Sequence, residues 1–408
     1  MKILHTSDWH LGRTLYGKKR YWEFKKFLNW LLQTIQKETI DTLLVAGDIF
    51  DTTTPSHQTQ LLYYQFISNI AESSCRTVIF IGGNHDSPSL LNAPKTLLSH
   101  LNIFVIGSIS DDMQDDVLVL NSPSGEPELI VCAVPYLRDR DIRQCNADES
   151  IDDKSDKFAQ GIQTYYHQIV KIAEQKNQTF KQAVPIIAMG HLFTAGTTLT
   201  GEGVRDLYIG SLEHIKATAF PEAIDYLALG HLHIAQKVAN CDHKRYSGSP
   251  IPMGFGEANQ QKIIIKINIE NHQLSIDELN VPCFQKLAII KGDFDAIVDQ
   301  IKKLIQTNEV IWLEVIYQSQ QIMADLTEQL NTLTEQSNIG ILRIKIAFSN
   351  STPHSTELTE QLLDTLNETD VFQHCLDYHQ IPDNQQISLN KTFNEVLKLL
   401  QEEDSRAV

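Results

Sequence analysis

Five short apolar runs, each closed by residues able to bind metal, leave this chain few folds to choose from. Residues 2–5 precede Asp8 and His10, residues 42–46 precede Gly47-Asp48, and residues 77–81 precede Gly83-Asn84-His85-Asp86. Residues 185–189 precede Gly190-His191, and residues 226–229 precede Gly230-His231-Leu232-His233. Each run is rich in Ile, Val and Leu, and most close on glycine or a small polar residue, so each reads as a buried strand. In an α/β sheet, functional groups collect just past the carboxyl ends of the strands. Five strand ends bringing Asp8, His10, Asp48, Asn84, His191, His231 and His233 together make a site for two metal ions.

Carboxylate, amide oxygen and imidazole donors without cysteine suit Mn²⁺, Fe²⁺ or Zn²⁺ better than a soft metal. Two such ions roughly 3.5–4 Å apart clamp a phosphoryl oxygen, and one lowers the pKa of a water that then attacks. One carboxylate has to bridge the pair, and Asp48 is the natural candidate. His85, between Asn84 and Asp86, reads as the group that protonates the leaving oxygen or meets the phosphate, with Asp86 orienting its ring. Each motif alone has an ordinary explanation. A chain with 15 histidines contains Asp-x-His pairs by chance, Gly-Asp is a common turn, and Gly-His is compatible with a satisfied core histidine. The five in this order and context are specific.

The same five motifs in the same order resemble the calcineurin-like metallophosphoesterase superfamily. Longer stretches resemble its SbcD family of nuclease subunits. They are His5-Thr-Ser-Asp-Trp-His-Leu-Gly-Arg13, Val45-Ala-Gly-Asp-Ile-Phe-Asp51, Val204-Arg-Asp-Leu-Tyr-Ile-Gly210 and Tyr246-Ser-Gly-Ser-Pro-Ile-Pro252. The resemblance implies one ion on Asp8, His10, Asp48 and His233, and a second on Asp48, Asn84, His191 and His231. It makes His85 the histidine that contacts the phosphate. Asp51 stands where archaeal relatives carry a second active-site histidine, and reads as a residue behind the metal ligands with its role open. The implied fold is an α/β two-sheet sandwich flanked by helices, followed by a small α/β capping domain and a helical tail. The expected domains are 1–280, 281–350 and 351–408.

Composition bounds what remains. A chain of 408 residues that is 42% hydrophobic can bury a large core in two to three units. No signal peptide or bilayer-length apolar stretch is visible, and the six cysteines show no paired spacing, so a reducing cytoplasm is expected. The net charge of −17 is awkward for a nucleic-acid binder. It is concentrated, however. Residues 111–160 hold 5 Lys/Arg against 13 Asp/Glu, residues 351–408 hold 3 against 11, and residues 1–110 hold 10 against 8. Arg13, Lys18, Lys19 and Arg20 are candidate phosphate contacts, or else a solvated approach to a helix. The acidity predicts weak DNA affinity for this chain alone, with a partner supplying much of the binding.

Between the strands, residues 22–35 present a helical apolar face, and residues 61–70 are helical with more apolar surface than one stripe needs. That surplus, with residues 90–101, reads either as internal packing or as a dimer interface, and the family resemblance favours the dimer. Residues 111–128 read as a surface hairpin and residues 148–157 as a polar loop. Residues 262–269 and 273–279 read as a closing hairpin. From residue 286 the pattern becomes strand, helix, strand, helix, strand. Residues 349–353 read as a linker. The tail predicts two amphipathic helices, capped by Asp370 and by Asp383 with Gln386, the second carrying Leu389, Phe393, Val396, Leu397 and Leu400.

The combined expectation is a Mn²⁺-dependent DNA nuclease with two ions. The resemblance implies double-strand 3′-to-5′ exonuclease and single-strand or hairpin endonuclease activity in DNA repair. It also implies a homodimer within a heterotetramer, bound to the ATPase SbcC through the C-terminal helices. Two alternatives stay open: a small-molecule phosphodiesterase or phosphatase of the superfamily, and a non-catalytic DNA-end tether.

Overall fold

The computed structural model describes residues 1–142, 151–194, 215–271, 273–319, 323, 325–347, 372–373, 375–376, 381–382 and 385–393. It opens with β1 (Lys2–Thr6), a ribbon of β2 (Thr14–Leu15) and β3 (Lys18–Lys19), α1 (Tyr21–Glu38) and β4 (Thr42–Ala46). Then come α2 (His57–Ala71), β5 (Thr77–Ile81), α3 (Pro88–Asn92), α4 (Lys95–Ser99), β6 (Ile103–Ile106), β7 (Val117–Asn121) and β8 (Pro127–Ala133). The first unit continues through α5 (Asp139–Ile142), α6 (Ile151–Gln178), β9 (Ile186–His191), β10 (Tyr226–Gly230) and β11 (Gln236–Val238). It closes with β12 (Cys241–Tyr246) and the hairpin of β13 (Ile263–Glu270) and β14 (Gln273–Asn280).

These strands form two six-stranded sheets, ordered β14-β13-β1-β4-β5-β6 and β11-β12-β10-β9-β8-β7. All five apolar runs lie in the parallel parts, β1-β4-β5 in one sheet and β9-β10 in the other, so their carboxyl ends share one edge of each sheet. Period-two alternation distributes each strand between two cores. Leu43 and Val45 of β4, with Val78 and Phe80 of β5, pack under α1 and α2, whereas Leu44, Ala46, Ile79 and Ile81 join the layer between the sheets. On the other sheet, Ile187, Met189, Tyr226 and Ala228 enter the same middle layer. Their neighbours Ile186, Ala188, Leu227 and Leu229 pack with Tyr166, Ile169 and Ala173 of α6. The result is a helix–sheet–sheet–helix sandwich. Behind the strands, Arg76 ties the sheets together, reaching Asp41 at 3.0 Å and Glu128 at 2.9 Å.

The acidic stretch expected as a loop at residues 148–157 is helical from Ile151 onward. Its polarity reads as loop, but a helix N-terminus favours an acidic first turn, and apolar spacing from Ile162 to Ala173 carries the helix. Around α2 the internal core takes Leu62, Tyr63, Phe66, Ile67 and Ile70, yet Leu61 is 47% exposed and Tyr64 39%, as are Leu97 (69%) and Leu101 (49%). Among the described residues, no helix is long and apolar enough to cross a membrane.

The chain divides into two compact units, the first Met1–Ala288 with Val310–Trp312 and the second Ile289–Glu309 with Leu313–Val408. After the sandwich come β15 (Lys286–Gly292), α7 (Phe294–Gln306), β16 (Ile311–Gln318), α8 (Leu326–Thr334) and β17 (Ile339–Ala347). The three strands form one sheet with β16 central. Asp293 caps α7 by accepting from the Ala296 N–H, and Ile297 and Ile301 are its buried face. In the tail, Phe372 and Phe393 stack with centroids 4.0 Å apart, and Gln373 bonds Gln386 and Asn390, so the two helical segments pack on each other. Residues 204–210, the linker at 349–353, the caps Asp370 and Asp383, and Val396, Leu397 and Leu400 lie outside the described residues.

Candidate metal centre

Four of the seven proposed donors hold backbone conformations that L-residues avoid: Asp8 (φ 52°), His10 (φ 45°), Asp48 (φ 51°) and His231 (φ 103°). Each such residue costs of order 1–3 kcal/mol, a strain that persists only where surrounding contacts enforce it. Here the contacts are visible. The Asp8 N–H donates to the Gly47 carbonyl at 3.0 Å and the His10 N–H to the Asp48 carbonyl at 2.9 Å, so the turns after β1 and β4 brace each other. The approach is close enough to require glycine. A Cβ at Gly47 would lie 2.3 Å from His191 Nδ1, and one at Gly83 would lie 2.1 Å from Asp48 Oδ1.

The seven donors gather in two overlapping groups. His10 Nε2 and His233 Nε2 face each other at 3.1 Å, with Asp8 in the same cluster. Across from them, Asn84 Oδ1 lies 3.0 Å from His191 Nε2 and 3.1 Å from His231 Nδ1. Asp48 stands between, its Oδ2 at 3.4 Å from both His10 Nε2 and His191 Nε2. Asp8, His10, Asp48, His191 and His233 are all buried.

Electrostatics test whether cations belong here. Two carboxylates are buried, and among the described residues no lysine or arginine pairs with either. Burial pushes Asp48 up, but His191 and His10 override it and hold the carboxyl well below its usual range. Burial lowers His191, and the Asp48 charge reverses this, raising it to about 9. Burial raises Asp8 in spite of the neighbouring imidazoles. The imidazoles thus compensate Asp48 but leave Asp8 raised by its burial, and buried charge needs a counter-charge. Facing imidazole nitrogens, an amide oxygen and two carboxylates fit two divalent cations.

His85 differs from the seven. Its backbone N–H donates to Asp48 Oδ1 at 3.0 Å, and its Nδ1 donates to the Asp51 carbonyl at 2.8 Å, leaving Nε2 as the nitrogen open to chemistry. This corrects the role expected for Asp86, which does not orient the His85 ring. Its buried carboxylate instead accepts from the N–H groups of Ile49 (3.1 Å), Phe50 (2.9 Å) and Gly83 (2.8 Å), pinning the β4 turn to the β5 turn. Asp86→Ala would orphan three buried donors at about 1–3 kcal/mol each. Urea unfolding of the chelated protein should show a loss of about 3 kcal/mol or more, and a loss below about 1 kcal/mol would refute this role. Asp51 gains one too. Besides its carbonyl on His85, its Oδ1 lies 3.3 Å from His10 Nδ1 and 3.1 Å from an Arg13 terminal nitrogen.

The basic residues after β1 separate. Lys18 and Lys19 are exposed on the ribbon. Arg13 is half-buried, engaged by Asp51 and by the Met253 carbonyl at 3.3 Å. Arg20 is corrected: it is buried, gripped by both oxygens of Glu23 at 2.7 and 2.9 Å and by the Pro252 carbonyl at 2.7 Å, and cannot meet DNA. A fork-shaped guanidinium beside a Glu three residues on in α1 is a bidentate pair.

Two family profiles match the chain, calcineurin-like phosphoesterase over residues 1–235 and type 5 capsule protein repressor C-terminal domain over residues 283–380. The chain is 34% identical over 403 residues to the SbcD component of the SbcCD nuclease of Escherichia coli (strain K12), covering 98% of both. It belongs to the SbcD family. The SbcD components from Bacillus subtilis (strain 168) and Rhodobacter capsulatus are each 32% identical, over 65% and 63% of this chain and 65% and 64% of theirs. A crystal structure of a dimetal phosphatase from Danio rerio covers 69% of this chain and 98% of its own at 10% identity, with a TM-score of 0.41.

As an SbcD-family phosphoesterase, the chain is a metal-dependent phosphodiesterase. Sequence reasoning missed part of what supports its centre. Ser7 Oγ donates to Asp8 Oδ2 at 2.5 Å and lies 2.8 Å from Ser247 Oγ. The Ser249 N–H reaches the His233 carbonyl at 3.1 Å. The Ser-Gly-Ser-Pro stretch thus seats Asp8 and His233. Glu257 and Lys262, both buried, meet behind His233. A Glu and a Lys five apart in a polar stretch carry no sequence signal for this.

Proposed function

We propose that this chain is the nuclease component of an SbcCD-type complex, hydrolysing DNA phosphodiesters with two ions, most readily Mn²⁺, held by Asp8, His10, Asp48, Asn84, His191, His231 and His233. The observation that carries the two-ion reading is Asp48 Oδ2, placed 3.4 Å from a histidine of each donor group. When bound, such ions polarise the phosphoryl group and acidify water. The chain's own part is to hold the phosphate between the groups, with His85 Nε2 facing the leaving oxygen and Asp51 fixing the His85 ring through its carbonyl. Nuclease relatives matching 98% of the chain favour DNA over a compact phosphate ester as the substrate. The complete donor set argues against a passive tether. The reading includes 3′-to-5′ exonuclease and hairpin endonuclease activity in the cytoplasm, with SbcC as partner.

The deciding assay incubates the purified chain, with and without SbcC and ATP, with labelled linear and hairpin DNA in Mn²⁺ or Mg²⁺. Metal-dependent cleavage supports the reading. Hydrolysis of small phosphodiesters with DNA left intact would sink it. Lys18 and Lys19 are the exposed cations nearest the first motif. Lys18→Ala/Lys19→Ala should flatten the dependence of DNA affinity on salt by about 1–2 phosphates' worth of slope. An unchanged slope in anisotropy titrations would remove them from the DNA path.

Leu61, Tyr64, Leu97 and Leu101 form our proposed homodimer surface, and the tail our proposed SbcC contact. Phe393 is a poor probe of that contact, because its ring stacks on Phe372 within the tail. Ile387, 76% exposed, is the better one. Ile387→Glu, or truncation after Pro353, is expected to preserve cleavage by the free chain and abolish co-purification with SbcC. Complex formation by the truncated chain would return the tail to a structural role.

A further inference from the structure

We infer that Glu257 is a positioning residue for His233, holding its imidazole in the orientation that turns Nε2 into the metal centre. The two ring nitrogens of His233 face opposite ways. Nε2 lies 3.1 Å from His10 Nε2 inside the donor cluster, while the buried Nδ1 lies 3.4 Å from Glu257 Oε1. A carboxylate behind a ligating histidine fixes its tautomer and raises its basicity, so that removing it typically weakens metal binding about 10–100-fold.

Glu257 is itself held. Its Oε2 accepts from the Met253 N–H at 3.1 Å, from Ser249 Oγ at 3.3 Å and from the ammonium of Lys262. Lys262 also reaches back to the His233 carbonyl at 2.9 Å and to Ser249 Oγ at 3.1 Å. One buried cluster thereby holds the His233 backbone and sets a carboxylate oxygen against its ring, where the buried Nδ1 makes no hydrogen bond and Glu257 Oε1 stands 3.4 Å away. The cluster has one carboxylate and one ammonium, both buried, so neither is explained by solvent. A buried ion pair of this kind is weak evidence for stability, since apolar replacements of similar volume are often neutral or better. The unequal geometry of the carboxylate is more informative. One oxygen serves Lys262 and its neighbours, and the other is turned to His233.

The inference rests on His233 holding an ion, and the test separates the two claims. The full chain is stripped of metal and titrated with Mn²⁺, free ion being followed by electron paramagnetic resonance, and metal-free melting is recorded for each variant. Glu257→Asp keeps a charge for Lys262 while drawing the carboxylate back from His233 by one methylene. Glu257→Met/Lys262→Met removes the ion pair together with the contact. Both are expected to melt near wild type without metal, yet to bind one of the two ions about 10–100-fold more weakly. His233→Ala should lose that same ion. Wild-type affinity in Glu257→Asp, or in the paired variant, with the ion lost in His233→Ala, would make Glu257 merely a counter-charge for Lys262. Two ions at full affinity in His233→Ala would refute the site reading itself. Should the paired variant fail to fold, Glu257→Asp decides.

Discussion

Replacing Asp48 by alanine is expected to bring phosphodiester cleavage down to background and to leave neither ion bound after gel filtration, since this one carboxylate faces both donor groups. Its Oδ2 stands 3.4 Å from His10 on one side and His191 on the other, while Oδ1 accepts the His85 N–H at 3.0 Å. Asp8 also lies within 4.8 Å of donor atoms on both sides, grouping with His10 and His233 and with Asp48 and His191. Alanine also suits the φ of 51° poorly, so the control is Asp48→Asn. Asparagine tolerates the left-handed region and keeps an acceptor for His85, but lacks the charge. Both variants should fail alike in metal content by mass spectrometry and in cleavage. Activity within a few-fold of wild type in Asp48→Asn would show that the charge is dispensable and Asp48 no bridge.

The sandwich was legible because its strands carry the strongest signal a sequence offers. Residues 42–46 and 77–81 are apolar at nearly every position, and they are β4 and β5 to the residue. The gathering of the proposed donors was legible for a related reason. A chain that needs glycine at 47 and 83, so that backbones can approach within van der Waals contact, prints its turns beside the residues that gather there. What stayed hidden is whatever depends on a distant partner. Asp86 looks from sequence like an orienter of its neighbour His85, yet its carboxylate closes on backbone N–H groups 36 and 37 residues away. Arg20 reads as one of a basic run until Glu23 and the Pro252 carbonyl bury it. Glu257 shows nothing until the 3-10 turn Phe255–Glu257 places it behind His233. Local propensity misled at residues 151–157 for another reason, since acidic residues suit a loop and a helix start equally well.

His85→Gln should separate chemistry from metal binding, lowering the cleavage rate by about 10²–10⁴-fold, the range for acid–base assistance, with both ions retained. His85 is tethered through its ring Nδ1 to the Asp51 carbonyl, which leaves Nε2 to face the leaving oxygen. Its ring meets that of His10 edge-on, with centroids 4.9 Å apart. Glutamine can reach the same carbonyl with its amide but has no titrating nitrogen to offer the leaving oxygen. Asp51→Ala is the informative companion. The tether of His85 is a backbone group and survives that substitution, whereas the carboxylate contacts to His10 and Arg13 do not. Asp51→Ala should therefore cost less in rate than His85→Gln and act more through metal affinity. If His85→Gln loses an ion in single-turnover assays paired with metal analysis, His85 is a ligand. If Asp51→Ala matches it in rate at full metal occupancy, the carboxylate of Asp51 takes part in the chemistry.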